Sequence, residues 1–122
     1  MSNKSLSISK SDKKKILDAI VETRNYHVTG PVISPSGNKC PIIIAMSMVI
    51  SDPKRLEIIA NAMASLVKKL PVDVIVGIPT AGLPLATAVS MLTKLPLLWV
   101  RDKPDPRTGS IEGEYKPGQR AI

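Results

Sequence analysis

A chain of 122 residues, 43% hydrophobic and 22% charged with a formal net charge of +7, fits one small globular domain and excludes disorder, collagen-like repeats and coiled coil. With no Phe, one Trp and two Tyr, aliphatic side chains must build the core, and single-stranded nucleic acid binding on aromatic platforms is disfavoured. Cys40 is the single cysteine, beside a single histidine, so an internal disulfide and a zinc-type Cys/His cluster are excluded, no metal ligand is assigned, and a reducing cytoplasm is the expected setting.

Residues 1–11 read as a flexible basic tail. Over the first 15 residues Lys4, Lys10, Lys13, Lys14 and Lys15 stand against Asp12 alone, which reads as a solvated terminus; nucleic acid is not an expected partner. Ser11 is the candidate cap of a helix over 12–24, where Ile16, Leu17, Ile20 and Val21 recur at helical spacing. Thr29, Gly30 and Pro31, then Ser34, Pro35, Ser36 and Gly37, predict a loop or irregular hairpin. The apolar, β-branched run 41–50 predicts a strand covered on both faces. It is too short to span a bilayer, and no membrane partner is expected.

Ser51, Asp52 and Pro53 predict the start of a second helix running to about residue 70, with Leu56, Ile59, Ala60, Met63, Leu66 and Val67 on one stripe. A short buried strand over 72–78, a loop at Pro79, Thr80, Ala81 and Gly82, a helix over 83–93 and a strand over 97–101 follow. That order predicts a right-handed parallel crossover. Residues 102–110 read as an exposed loop and 111–115 as a brief strand. The turn over 116–120 then leads into what reads as the first residues of a core strand.

Ligands of open parallel sheets bind beyond the carboxyl ends of strands, where backbone N–H groups and a helix N-terminus face an anion. Thr80, Ala81 and Gly82 are the candidate cradle, because small side chains let a phosphate reach the main chain. The same three residues also suit an ordinary β-α turn. Neither a Walker loop nor a three-glycine dinucleotide fingerprint is present. Arg101, Lys103 and Arg107 are candidate anion contacts, although Asp102 and Asp105 cancel much of their field and a solvated loop is the other reading. His27 and Cys40 read as structural, Glu112 and Glu114 are assigned no catalytic role, and no catalytic residue is named.

The strings "VGIPTAG", "WVRDKPDPR" and "IEGEYKPG", preceded by "SGNKCPIIIAMSMVISDP", resemble in order and spacing the N-terminal and central part of orotate phosphoribosyltransferases, over about residues 34–122. The resemblance implies an α/β type I phosphoribosyltransferase fold, a parallel sheet flanked by helices, with an N-terminal hood over about 12–53 and a core over 54–122. It implies transfer of phosphoribose from phosphoribosyl pyrophosphate to orotate with Mg²⁺, giving orotidine monophosphate in pyrimidine synthesis, usually in a dimer whose mobile loop serves the neighbouring site. Carried over by position, the pyrophosphate loop is kept as Thr80, Ala81 and Gly82, and the arginine that opens the mobile loop is Arg101.

Other positions depart from the pattern. The hood's lysine falls on Pro35, its aromatic on Ile43, its aspartate on Ala45 and its arginine on Ser47. In the mobile loop two lysines fall on Asp102 and Asp105 and a histidine on Arg107. Each Lys-to-Asp exchange turns attraction for pyrophosphate into repulsion, worth several kcal/mol at roughly 4 Å and an effective dielectric near 20. The sequence ends before the family's paired acids and Thr-Thr-Gly loop, so the domain reads as partial, incomplete at its C-terminal side. The expectation is a related protein inactive as an isolated chain, with Mg²⁺ needed only if activity remains. A split half of an active enzyme and a non-catalytic regulatory module are the alternatives. The expected partners are a small phosphorylated metabolite or inorganic anion, and a second copy or a complementing C-terminal half.

Overall fold

Helix α1 (Lys10–Glu22) begins two residues earlier than its spacing predicted, because the cap is Ser9 and not Ser11. Ser9 Oγ accepts from the Asp12 N–H at 3.0 Å and donates to the Asp12 carboxylate at 2.7 Å. Ser9 is therefore the N-cap through its hydroxyl, and Asp12 orients that hydroxyl; the second bond is between side chains, so this is not a full capping box. The computed structural model describes residues 7–24, 26–27, 31–34, 36–107 and 109–122. Most of the basic tail, Thr29, Gly30 and Pro35 therefore lie outside the described residues.

The run 41–50 is not one buried strand. Two short antiparallel pairs come first: β1 (Tyr26–His27) with β4 (Ile43–Ile44), and β2 (Val32–Ile33) with β3 (Lys39–Cys40). Pro41 lacks the N–H a continuous ladder would need. Ala45 then starts the one-turn helix α2 (Met46–Val49). Strand alternation would send Val49 and Ile50 to opposite faces; the helical turn buries both, at 0% and 7% exposure, against Ile59. Ile42, Ile44 and Met48 stay exposed.

Helix α3 (Pro53–Val67) starts where the sequence places it, since Asp52 Oδ1 accepts from the Lys54 and Arg55 N–H groups at 3.0 Å each. It joins two clusters. One is Val49, Ile50 and Ile59 with Ile16 and Ile20 of α1. The other is Ala60 and Val67 with Ile75, Ala86 and Val89.

Strand β5 (Ile75–Gly77), helix α4 (Gly82–Thr93) and strand β6 (Leu97–Asp105) make the expected parallel crossover, with Ile75 opposite Leu97 and Gly77 opposite Trp99. Gly77 lets α4 lie on the sheet: a Cβ there would meet Leu83 Cδ2 at 2.8 Å and Ala86 Cβ at 3.1 Å. The sheet is not purely parallel, because β7 (Gly109–Glu112) returns antiparallel to β6. Most of the exposed loop expected over 102–110 is thus a hairpin; Thr108 lies outside the described residues. Its register slips between Val100 and Asp105, where Pro104 has no N–H to offer a ladder.

On the other edge of β5, Ala121 bridges Val74 in parallel, the Ile122 N–H donates to Val74 O, and the Val76 N–H donates to Ile122 O at 2.7 Å. The strand expected after residue 120 therefore begins there. It is anchored by Asp73, whose carboxylate accepts from Arg120 N–H, Nε and Nη2 at 2.9, 3.0 and 3.2 Å.

Candidate functional site

The carboxyl ends of β5 and β6 carry the candidate residues. After Gly77 the chain crosses Ile78 and Pro79, passes a cis peptide between Pro79 and Thr80, and enters α4 through Ala81. No side chain caps α4. Its first backbone N–H groups have no partner within the helix, and the macrodipole puts partial positive charge there. Thr80 and Ala81 are exposed and Gly82 half-buried, so that end faces solvent. Thr80 and Ala81 share an open groove of about 590 Å³ with Ser47, Ile50, Ser51 and Pro84. The segment before α3 thus shares this groove with the loop, and the Ser51 hydroxyl within it donates to Met48 O at 2.7 Å.

On the other side of Pro79 lies a wider cleft of about 720 Å³, lined by Pro79, Trp99, Val100, Arg101, Asp102, Lys103 and Glu112. Arg101 is committed to acids: Nη1 donates to Glu112 Oε1 and lies 3.8 Å from Asp105 Oδ2. The hydrogen bond to Glu112, with the charges of Glu112 and Asp105, raises the Arg101 pKa above its ordinary value. Arg107 is held by Asp105, its backbone N–H at 2.8 Å and its Nε at 3.3 Å from Oδ1, and lines neither cleft. Lys103 is exposed on the cleft wall.

The structure therefore brings Arg101 and Lys103 to one flank of the Thr80 loop and leaves Arg107 apart. Ser47 is beside the loop, Ala45 caps α2 and Ile43 pairs in β4. Sequence reasoning missed Glu112 as the partner of Arg101. The signal was an alternation: with β7 antiparallel to β6, Glu112 falls opposite Trp99, two positions before Arg101. Ser51 was named only as part of a helix start, and no local signal marks its place beside Thr80.

No family model matches the sequence. The orotate phosphoribosyltransferase of Methanosarcina mazei is 43% identical over 89 residues, which is 71% of this chain and 48% of that protein. That of Thermococcus gammatolerans is 35% identical over 114 residues, 90% of this chain and 60% of that protein. The chain is homologous to the orotate phosphoribosyltransferases. It spans about half the length of the curated relatives it matches. Leishmania donovani UMP synthase superposes with a TM-score of 0.78 at 29% identity, over 93% of this chain and 24% of that one. A Mycobacterium tuberculosis orotate phosphoribosyltransferase, solved with inorganic phosphate, superposes with a TM-score of 0.60 at 22% identity, over 89% of this chain and 62% of that one. The fold is the type I phosphoribosyltransferase fold, with the Thr80 loop between its β5 and α4.

Proposed function

We propose that this chain binds the pyrophosphate group of phosphoribosyl pyrophosphate, or of a similar phosphorylated metabolite, at Thr80, Ala81 and Gly82, and that alone it forms no orotidine monophosphate. The observation that carries the reading is the uncapped start of α4, with small exposed residues before it, at the carboxyl end of β5 in an orotate phosphoribosyltransferase homologue. Unpartnered N–H groups on a helix dipole favour an anion.

The absence of turnover follows from charge. Phosphoribosyl transfer needs stabilisation of the departing pyrophosphate, and in the cleft beside the loop Asp102 and Glu112 offset Arg101 and Lys103 and leave no net positive charge. Ile43, Ala45 and Ser47 bring no charge with which to orient a base. Mg²⁺ usually keeps waters and substrate phosphates with one or two carboxylates. Among the described residues no three of His, Cys, Asp and Glu gather as a ligand set, so no residue is assigned to the ion, which would arrive on the phosphates of its substrate.

Calorimetry with inorganic pyrophosphate tests this. Ala81→Asp places a carboxylate in the anion's seat while suiting a helix N-terminus. Binding weakens by about ten-fold or more, an opposing charge costing over ~1.4 kcal/mol, and the thermal midpoint does not fall. Equal binding by wild type and variant refutes the site. Orotate turnover by the wild-type chain that vanishes in Arg101→Ala refutes the inactivity.

A second reading, half of a split active transferase, is favoured by the pairing of Ala121 and Ile122 along β5. It requires activity to appear when the C-terminal half of a relative is added.

A further inference from the structure

Arg101 sits between two carboxylates better sheltered than itself: its side chain is 44% exposed, against 20% for Glu112 and 14% for Asp105. Asp105 is shared with Arg107. Glu112 is the direct hydrogen-bond partner of Arg101 and, unlike Asp105, lines the cleft. The wall beside Pro79 thus holds Arg101 and Lys103 against Asp102 and Glu112, two cations and two acids with no net charge. A phosphorylated ligand that extended from the Thr80 loop past Pro79 into this cleft would compete with the carboxylate bound to the guanidinium and would lie next to it.

We propose that Glu112 is a positioning residue that sets the affinity of this site for pyrophosphate by holding Arg101 as its own counter-ion. The proposal rests on the anion-binding reading above and deepens it. The loop supplies backbone donors, and Glu112 decides whether the neighbouring guanidinium adds to them.

The test titrates inorganic pyrophosphate into wild type, Glu112→Gln and Glu112→Asp at low and at physiological ionic strength. Glu112→Gln keeps the shape and removes the charge, and tightens binding about two- to five-fold at low salt, the scale of one exposed ion pair. The gain shrinks as salt rises. Glu112→Asp retains wild-type affinity, and adding Arg101→Ala to Glu112→Gln removes the gain. A merely structural role for Glu112 would weaken binding in every variant. Glu112→Leu, a second neutral variant, gives the same gain should Glu112→Gln misfold. Binding by Glu112→Gln at or below wild-type strength overturns the proposal. If that happens while Ala81→Asp still weakens binding, the loop site stands and the role of Glu112 falls; if neither wild type nor any variant binds, both fall.

Discussion

Gly113 follows β7 at φ +107°, and a Cβ there would lie 2.6 Å from Leu98 Cδ2 and 3.0 Å from Leu97 O. Two costs add in Gly113→Ala. A backbone conformation reserved for glycine costs about 1–3 kcal/mol. The contact costs about 1–3 kcal/mol more as overpacking, because Leu98 is 4% exposed with little room to turn and Leu97 O is backbone. Gly118 separates the two costs: its φ is +87° but nothing lies within 4 Å of its Cβ position, so Gly118→Ala carries the backbone cost alone. In urea unfolding followed by circular dichroism, Gly113→Ala loses about 4 kcal/mol and Gly118→Ala about 2 kcal/mol, a midpoint difference on the order of 1 M for a slope near 2 kcal/mol per molar. Equal losses, within about 0.5 kcal/mol, would refute the claim that the approach of β7 to Leu98 is what demands glycine there.

Gly77→Ala presses on Leu83 Cδ2 and Ala86 Cβ, costs about 1–3 kcal/mol and lifts the start of α4 off the sheet, so pyrophosphate affinity falls with stability; Leu83→Ala in the same chain restores part of both in paired calorimetry and melting. The Asp73 carboxyl is held below its ordinary value of 3.8, chiefly by the side-chain and backbone hydrogen bonds from Arg120. Its contribution to stability is complete above that ordinary value and is lost as pH falls through the depressed one. Denaturant midpoints between about pH 5 and pH 2 therefore decline less steeply in Asp73→Asn than in wild type, and parallel declines would dismiss the Asp73–Arg120 tie as a stabilising contact.

The parts of the fold legible in advance are those whose causes lie within a few residues. Asp52 and Pro53 announce the start of α3, and Thr80 and Ala81 lie between β5 and α4 as the strand-loop-helix spacing predicts, with Gly82 already the first residue of α4. The same short range misplaced the cap of α1, because Ser11 and Ser9 are equally good hydroxyls and only the partner three residues on distinguishes them. Apolar composition could not tell that residues 41–50 divide into strand ends and a helical turn. What decides it is the burial of Val49 and Ile50 against Ile59, a partner outside the run.

The candidate site divides the same way. The Thr80, Ala81 and Gly82 segment proposed as an anion cradle is a local feature, small residues running into a helix without a capping side chain, and its place between strand and helix was legible in the sequence alone. The sequence likewise determined the crossover, through its alternation of apolar runs and breakers, and the family resemblance carried by its motifs. Only the tertiary structure decided the state of Arg101. Charge counting over 101–107 sees Asp102 and Asp105, but the carboxylate that binds the guanidinium is 11 positions away and arrives through the antiparallel return of β7. The placing of Ser47 and Ser51 beside Thr80 is of the same kind. Hydrogen-bonded caps and periodicity act over one turn of chain, whereas the field at a ligand site is the sum of charges from every strand that ends there.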